Sequence, residues 1–233
     1  MNKRILGGLA ALLLTAGLAT AAAAETIRVG VSAGPHAEIL EQVRKVAAQD
    51  GLDIKIIEFT DYVVPNTALA SGDIEANSFQ HLPYLDNQVK DRGFKLVPVG
   101  QTVVFPMGFY SKKVKSFDEL PEGATVAIQN DPTNGGRSLL LLQAKGVIKL
   151  RDGVGLKPTL LDIAENPKKL KLIELDAAQL PRSLDDVTAA AVNTNYAVEA
   201  GLDPVKDAIA RENADSPYTN IIAVREQDKD KPW

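Results

Sequence analysis

Apolar and polar positions along the first third of the chain repeat with two different periods. Some segments alternate every second residue and are rich in β-branched side chains, whereas others place apolar residues three and four apart. These patterns predict, in order, a strand at Thr26 to Ala33, a helix from Gly34, a strand at Leu52 to Phe59, a helix at Asp61 to Ser71 and a strand at Ile74 to Phe79. Such a β-α-β-α-β order is typical of a mostly parallel sheet covered by helices.

A second α/β unit follows an extended connector. His81 to Asp91 is predicted to be a helix, and Lys95 to Phe105 an extended segment. After Gly108 the pattern predicts a strand at Ala124 to Ile128, a turn and helix at 131 to 145, a helix near Thr159 to Glu165, and strands at Leu170 to Leu175, Val187 to Asn193 and Tyr218 to Arg225. Two units joined in this way predict two lobes with a cleft between them. Ligands of α/β sheets bind beyond the carboxyl ends of the strands, where Phe79, the 131–138 turn and Asn193 fall.

The turn at residues 131–138 carries the first candidate chemistry. It precedes Leu139 to Leu142 and therefore lies at a helix N-terminus, where unpaired N–H groups favour an anion. Gly135 and Gly136 would let a ligand approach the backbone, and Arg137 offers the planar fork that binds a carboxylate bidentately. The alternative is an ordinary capped helix with a surface ion pair. The turn is not a P-loop, because no Gly-Lys-Ser/Thr follows it.

Aromatic residues cluster in a second stretch, from Glu75 to Tyr84. Phe79 and His81 face the same side of an extended segment, and Pro83 turns the chain so that Tyr84 can join them. With Tyr62 they would form an aromatic box around an apolar or thioether side chain. The alternative places Phe79 in the core and Tyr84 on a helix face.

Two asparagines and the two histidines complete the candidate residues. Asn193 and Asn220 end or lie within apolar strands, where a buried amide must find a partner, either in a ligand or in a neighbouring loop. His36 and His81 are too isolated for a metal site. There is no Gly-x-Ser-x-Gly motif, no cysteine and no evident acid and base pair, so no catalytic residue, metal or cofactor is expected.

The first 24 residues are typical of an export signal. Lys3 and Arg4 precede an apolar run from Ile5 to Ala19, and Ala22 to Ala24 form a small-residue cleavage site. An uncleaved membrane anchor is the alternative. Removing this leader lowers the basic count from 26 to 24 against 30 acidic residues, which gives a net charge of −6. An acidic surface without a basic stripe argues against nucleic acid as a partner.

The chain from Ile27 to Glu226 resembles the NlpA/MetQ family, the substrate-binding proteins of methionine ABC importers. The matching motifs are Gly34-Pro35-His36-Ala37-Glu38-Ile39-Leu40, Asn77-Ser78-Phe79-Gln80-His81-Leu82-Pro83-Tyr84-Leu85, Asn130-Asp131-Pro132-Thr133-Asn134, Gly136-Arg137-Ser138-Leu139-Leu140-Leu141-Leu142 and Pro181-Arg182-Ser183-Leu184-Asp185-Asp186. The resemblance implies a monomeric, type II-like periplasmic binding protein of two α/β lobes joined by two crossover strands. Lobe 1 would comprise 25–105 completed by 220–233, and lobe 2 would comprise 106–219.

The resemblance also implies a ligand and its contacts. The protein would capture L-methionine and deliver it to an inner-membrane ABC permease and ATPase, without being an enzyme. Tyr62, Phe79, His81 and Tyr84 would surround the methionine side chain, Arg137 would hold the carboxylate, and Asn193 and Asn220 would bind the amino and carboxylate ends. Two departures from the family are the absent lipobox cysteine, which predicts a periplasmic protein without a lipid anchor, and the absence of the family's C-terminal helices after Trp233.

Three other functions remain open from the sequence. The ligand could be another small amino acid, a carboxylate or a short peptide. A secreted enzyme could use the same architecture, because fold alone does not decide function. The third is an adhesin or structural protein, which would show no closure on a ligand.

Overall fold

The structure is a computed structural model that describes residues 25–233. The predicted export signal at residues 1–24 lies outside the described residues. The strands are β1 (Glu25–Ser32), β2 (Leu52–Phe59), β3 (Ala76–His81), β4 (Leu96–Val104), β5 (Gly108–Tyr110), β6 (Thr125–Gln129), β7 (Lys149–Leu150), β8 (Ile163–Glu165), β9 (Lys171–Leu175), β10 (Ala189–Val192), β11 (Ala208–Arg211) and β12 (Thr219–Arg225). The α-helices are α1 (Pro35–Ala47), α2 (Val64–Ser71), α3 (Leu82–Arg92), α4 (Pro132–Ala144), α5 (Leu180–Ser183) and α6 (Thr194–Glu199).

The first sheet has the strand order β2-β1-β3-β12-β4. Strand β1 pairs in parallel with β2 and β3, as the alternating strand and helix pattern predicts. Strand β12 then inserts between β3 and β4, antiparallel to both, so the sheet is mixed rather than mostly parallel. The local pattern misses this pairing because β12 returns from the far end of the chain.

The second sheet has the order β11-β5-β10-β6-β9. Strand β6 is parallel to β9 and β10, whereas β5 is antiparallel to β10 and β11. Residues 105–107 lead from the first sheet to the second, and residues 212–218 lead back. The two-unit α/β fold with two connecting segments is therefore confirmed.

Each sheet has its own apolar core. Ile27, Val29 and Val31 of β1 pack beneath α1 in the first unit. In the second unit Leu139 and Leu142 of α4 pack against β6, and both are almost fully buried. The run of leucines after residue 138 is thus the face by which α4 packs on its sheet, and this contact fixes where its N-terminus lies. No helix among the described residues combines the length and apolar character needed to cross a membrane.

Two predicted helices differ from the structure because acidic side chains bond to nearby backbone. Helix α2 begins at Val64 rather than at Asp61, since the Asp61 carboxylate accepts hydrogen bonds from the N–H groups of Val63 and Val64. The helix predicted near Thr159 to Glu165 is wrong. Asp162 closes a single 3₁₀ turn by accepting from the backbone N–H of Thr159 at 2.8 Å, and the chain continues as β8.

Candidate functional site

A small cavity of about 30 Å³ lies between the two sheets. It contains all seven residues that the sequence selects as candidates. Its lining consists of His36, Tyr62, Phe79, Gln80, His81, Tyr84, Phe105, Asn134, Arg137, Asn193, Thr194, Asn195 and Asn220. The structure thus brings the candidates together from both units, although their role as ligand contacts stays a prediction.

Three aromatic rings form one wall of the cavity. The ring centroids of Tyr62, Phe79 and Tyr84 lie 6.0 to 6.3 Å apart, within the range of favourable aromatic pairs. Phe79 projects from the end of β3, and Tyr84 lies in the first turn of α3. The hydroxyl of Tyr84 donates to the carbonyl of Tyr62 at 2.8 Å, which ties the segment before α2 to α3. Burial raises the pKa of both tyrosines above the ordinary value, so both hydroxyls stay protonated.

A buried amide cluster supports this wall from behind. Asn66 of α2 and Gln80 of β3 exchange two hydrogen bonds, at 2.7 and 2.8 Å, and Asn77 bonds to both. All three side chains are buried. Because each amide finds partners within the cluster, it fixes α2 against β3 without leaving a buried polar group unpaired.

His81 is a neutral side chain in a single tautomer. As the N-cap of α3, its Nδ1 accepts from the backbone N–H of Tyr84 at 3.1 Å. The proton therefore sits on Nε2, which donates to Oδ1 of Asn134 at 3.2 Å. Burial, and secondarily the nearby Arg137 charge, lower the pKa of His81 to about 3. This hydrogen bond joins the first unit to α4 of the second.

A chain of hydrogen bonds orients the amides on the opposite side of the cavity. Asn134 Oδ1 also accepts from Nδ2 of Asn193 at 3.0 Å, and Asn193 Oδ1 accepts from Nε2 of Gln129 at 2.8 Å. Gln129 in turn accepts from the hydroxyl of Ser138 at 2.5 Å. The oxygen of Asn193 is thus engaged by Gln129 and one amide hydrogen by Asn134, which leaves the second amide hydrogen without a partner among residues 25–233.

Arg137 is buried, with 3% of its side chain exposed, and its guanidinium has three kinds of partner. Its Nε and Nη2 donate to the two carboxylate oxygens of Glu212 at 2.8 and 2.5 Å. Nη2 also donates to the carbonyl of Phe105 at 2.9 Å, and the ring of Tyr218 lies 4.3 Å from the guanidinium carbon. Among residues 25–233, Nη1 makes no hydrogen bond. The pair of guanidinium donors expected to bind a ligand carboxylate thus binds Glu212 instead. Nη1 is the remaining nitrogen that could donate to a ligand.

The N-terminus of α4 is not the open anion site that the 131–138 turn suggests. The Asp131 carboxylate caps it, accepting from the N–H groups of Thr133 at 3.2 Å and Asn134 at 2.9 Å. The two glycines allow close packing of the chain on itself. A Cβ at Gly135 would lie 2.6 Å from the carbonyl oxygen of Gln129, and one at Gly136 would lie 2.8 Å from Cα of Lys157. The capped-helix alternative is therefore right for the backbone of this turn, although Arg137 does line the cavity.

Asn195 is a cavity residue that the sequence pattern does not single out. It is 4% exposed, and its Oδ1 accepts a short hydrogen bond from the hydroxyl of Tyr62 in the other unit. Its Nδ2 is buried and finds no partner among the described residues. Buried donors are normally satisfied, so this group is a candidate donor to a ligand. Its position two residues after Asn193, at the same strand end, is the signal that could have indicated it.

The remaining candidates lie at the connecting segments. Asn220 is the second residue of β12, where it pairs with His81 in the sheet, and its side chain donates to the carbonyl of Val103 at 3.0 Å. His36, the second residue of α1, packs edge-on against Phe105 with 5.0 Å between ring centroids, and burial lowers its pKa to about 4. The cavity lining contains no carboxylate, thiol or amine. Residues 25–233 hold no cluster of side chains that could bind a metal ion.

Comparisons with known proteins agree on one family. The model of the NlpA lipoprotein family matches residues 27–233. The D-methionine-binding lipoprotein MetQ of Salmonella typhimurium is 59% identical over 207 residues, which cover 88% of this chain and 76% of that protein. The Escherichia coli protein of the same name is 58% identical over the same shares of both chains.

Solved structures give the same result at the level of the fold. A nutrient-binding protein from Burkholderia cenocepacia, bound to methionine, superposes with a TM-score of 0.87 and is 61% identical, covering 89% of this chain and 88% of that one. The methionine-binding protein MetQ superposes with the same TM-score at 58% identity, covering 89% and 86%. Sequence match, fold and cavity agree, and the chain belongs to the NlpA lipoprotein family.

Proposed function

We propose that this protein is a substrate-binding protein that captures methionine outside the cytoplasm and hands it to an ABC permease and ATPase in the inner membrane. The observation that carries the proposal is the cavity itself, which combines an aromatic wall with one buried arginine and several oriented amides. It is supported by relatives that are named methionine-binding proteins and by a 61% identical structure bound to methionine.

The chemistry of the cavity suits the two ends of methionine. A thioether is polarizable and packs well against ring edges, which Tyr62, Phe79 and Tyr84 supply. The lining also offers N–H donors to a carboxylate, from Arg137, from Nδ2 of Asn193 and from Nδ2 of Asn195, which is buried and has no partner among the described residues. We assign the side chain of the ligand to the rings and its carboxylate to these donors.

The site is built from both units, and closure of one unit on the other would complete it. We propose lobe boundaries at 25–105 with 220–233, and at 106–219, and the division of the strands between two sheets supports this proposal. Polar contacts that cross between the units include those of His81 with Asn134, Tyr62 with Asn195, Tyr196 with Thr60, and Lys157 with Asn87. A ligand held by both units would stabilise this arrangement, and the permease would recognise it.

The protein is proposed to bind without catalysis, to act as a monomer, and to work free of a lipid anchor. The cavity lining offers no nucleophile with an adjacent base, which agrees with relatives that are named as binding proteins. The relatives are named lipoproteins, whereas this sequence contains no cysteine to which a lipid could be attached.

Calorimetric titration of the purified protein tests the proposal. L-methionine, D-methionine, norleucine and leucine form the panel, since norleucine keeps the shape of methionine and lacks its sulfur. We expect methionine to bind most tightly and to raise the melting temperature. Saturating amounts of both methionine enantiomers without heat of binding or thermal shift would refute the proposed function. Preferential binding of a different member of the panel would leave a binding protein with another ligand.

A further inference from the structure

The charges around the cavity are balanced within the protein. Arg137 is the only residue of the cavity lining whose side chain carries a full charge at neutral pH, because burial keeps His36 and His81 uncharged. Its charge is matched by Glu212, which does not line the cavity and instead borders a separate groove that Arg137 also lines. The pair has 3% and 12% of its side chains exposed, so water screens it poorly.

Glu212 is held rigidly in this position. Besides its two bonds to Arg137, its Oε2 accepts from the backbone N–H of Met107 at 2.9 Å, and its own N–H donates to the carbonyl of Met107 at 3.0 Å. Glu212 opens the segment that leads back to the first sheet, and Met107 ends the segment that leaves it. These contacts with both connecting segments restrain the carboxylate beside Arg137.

This balance has a consequence for the charge of the ligand. A free arginine would favour any carboxylate, since the ligand's negative charge would neutralise the buried cation. With Glu212 in place, a simple carboxylate would bring an uncompensated negative charge into a buried site, which is costly. An amino acid brings an ammonium together with its carboxylate and is neutral overall, so it leaves the balance unchanged.

We infer that Glu212 is a specificity-determining residue that neutralises Arg137 and thereby selects zwitterionic amino acids over simple carboxylic acids. This inference rests on the proposed function, because it concerns the ligand of the same cavity. It assigns a role to a residue that contacts Arg137 and makes no contact with the cavity. Replacing Glu212 with a neutral side chain leaves Arg137 unbalanced, and the preferred ligand becomes an anion.

Three probes of the same shape and different charge test the inference by calorimetry. They are methionine, methionine without its amino group, which is an anion, and methionine without its carboxylate, which is a cation. In Glu212→Gln we expect the anion to gain at least about tenfold in affinity relative to methionine, and the cation to lose affinity, because like charges placed together disfavour binding. Glu212→Asp keeps the charge and should keep the wild-type order of the three probes.

Two further variants serve as a replacement and as a control in this experiment. Glu212→Met is also neutral, and it has no amide N–H group that could point at the Arg137 guanidinium as glutamine could. If Glu212→Gln folds poorly, Glu212→Met should show the same shift in preference from methionine to the anion. Glu199→Gln removes a carboxylate of α6 that contacts neither Arg137 nor the cavity and should change no ratio. Melting temperatures without ligand establish that each variant is folded.

The outcomes separate the inference from the proposed function. Equal weakening of all three probes in both neutral variants would assign Glu212 a merely structural role and overturn the inference. Unchanged ratios in a folded neutral variant would also overturn it, while methionine binding to the wild type would still support the proposed function. Failure of methionine to bind the wild type would overturn the proposed function and the inference with it.

Discussion

Nε2 of His81 lies 3.2 Å from Oδ1 of Asn134, and this hydrogen bond joins the two α/β units across the cavity. The histidine belongs to β3 of the first unit and the asparagine to the first turn of α4 in the second. The same oxygen accepts from Asn193, so one amide group links both walls of the proposed site. A change at Asn134 should therefore affect both the ligand contacts and the closed arrangement.

Asn134→Ala should weaken methionine binding by about tenfold to a hundredfold, because it leaves the N–H groups of His81 and Asn193 without their acceptor. Calorimetry measures the affinity, and small-angle scattering with and without ligand measures closure. Asn213→Ala, at an exposed asparagine outside the cavity, is the matched control. An Asn134→Ala protein with wild-type affinity would show that this bridge is not needed.

Removing Arg137 should reduce binding and stability together. Arg137→Ala takes away a buried donor and leaves the Glu212 carboxylate without its partner, a type of change that costs about 3 to 5 kcal/mol of stability. We expect methionine affinity to fall by more than about tenfold. Chemical denaturation and calorimetry measure the two effects.

The double variant Arg137→Met with Glu212→Met separates these effects. Replacing both members of a buried ion pair by apolar residues is often neutral for stability. We expect it to unfold at nearly the wild-type denaturant concentration while binding methionine poorly. Tight binding by the double variant would contradict the assignment of Arg137 to the ligand carboxylate.

Acid should destabilise the protein through its two buried histidines. The pKa values of His36 and His81 are lowered to about 4 and about 3, so the unfolded chain binds protons between those values and about 6.5 and the folded chain does not. Stability contributed by these groups is present above pH 6.5 and is lost as the pH falls. Each can contribute up to about 1.4 kcal/mol per pH unit in this window.

Denaturation at pH 7.5, 6.5, 5.5 and 5.0 measures this slope. His81→Asn removes one titrating group while keeping a side chain of similar polarity, and it should make the fall in stability between pH 6.5 and 5.0 roughly half as steep. An unchanged slope in this variant would mean that His81 is not the group that takes up the proton.

Gly135→Ala should destabilise the protein by about 1 to 3 kcal/mol, because the added methyl group would lie 2.6 Å from the carbonyl oxygen of Gln129 and the backbone must move. Gly100→Ala is the control, since a Cβ there meets no atom within 4 Å and its φ is not positive. Denaturant melts of the two variants should differ clearly. Equal stability would show that α4 can shift without cost.

The local pattern of the sequence accounts for much of the fold. Strands β1 to β3 and helices α1, α3 and α4 follow from periodicity and from glycine or proline at their ends. The two wrong helix predictions also have local causes. The carboxylates of Asp61 and Asp162 accept hydrogen bonds from nearby backbone N–H groups, and these bonds form where the apolar spacing favours a helical turn. The place of β12 depends on pairing between distant segments, which periodicity cannot reveal.

The sequence by itself determined which chemical groups were available to the site: the aromatic stretch, Arg137, and asparagines at strand ends. These are encoded locally, in short segments at the ends of strands and the starts of helices. Only the tertiary structure decided how those groups are used, because partners distant in the chain compete for them. The fold places Glu212 against Arg137, 75 positions away, and Asn195 against Tyr62, 133 positions away. The N-terminus of α4 is capped by the Asp131 carboxylate and is therefore not open to a ligand.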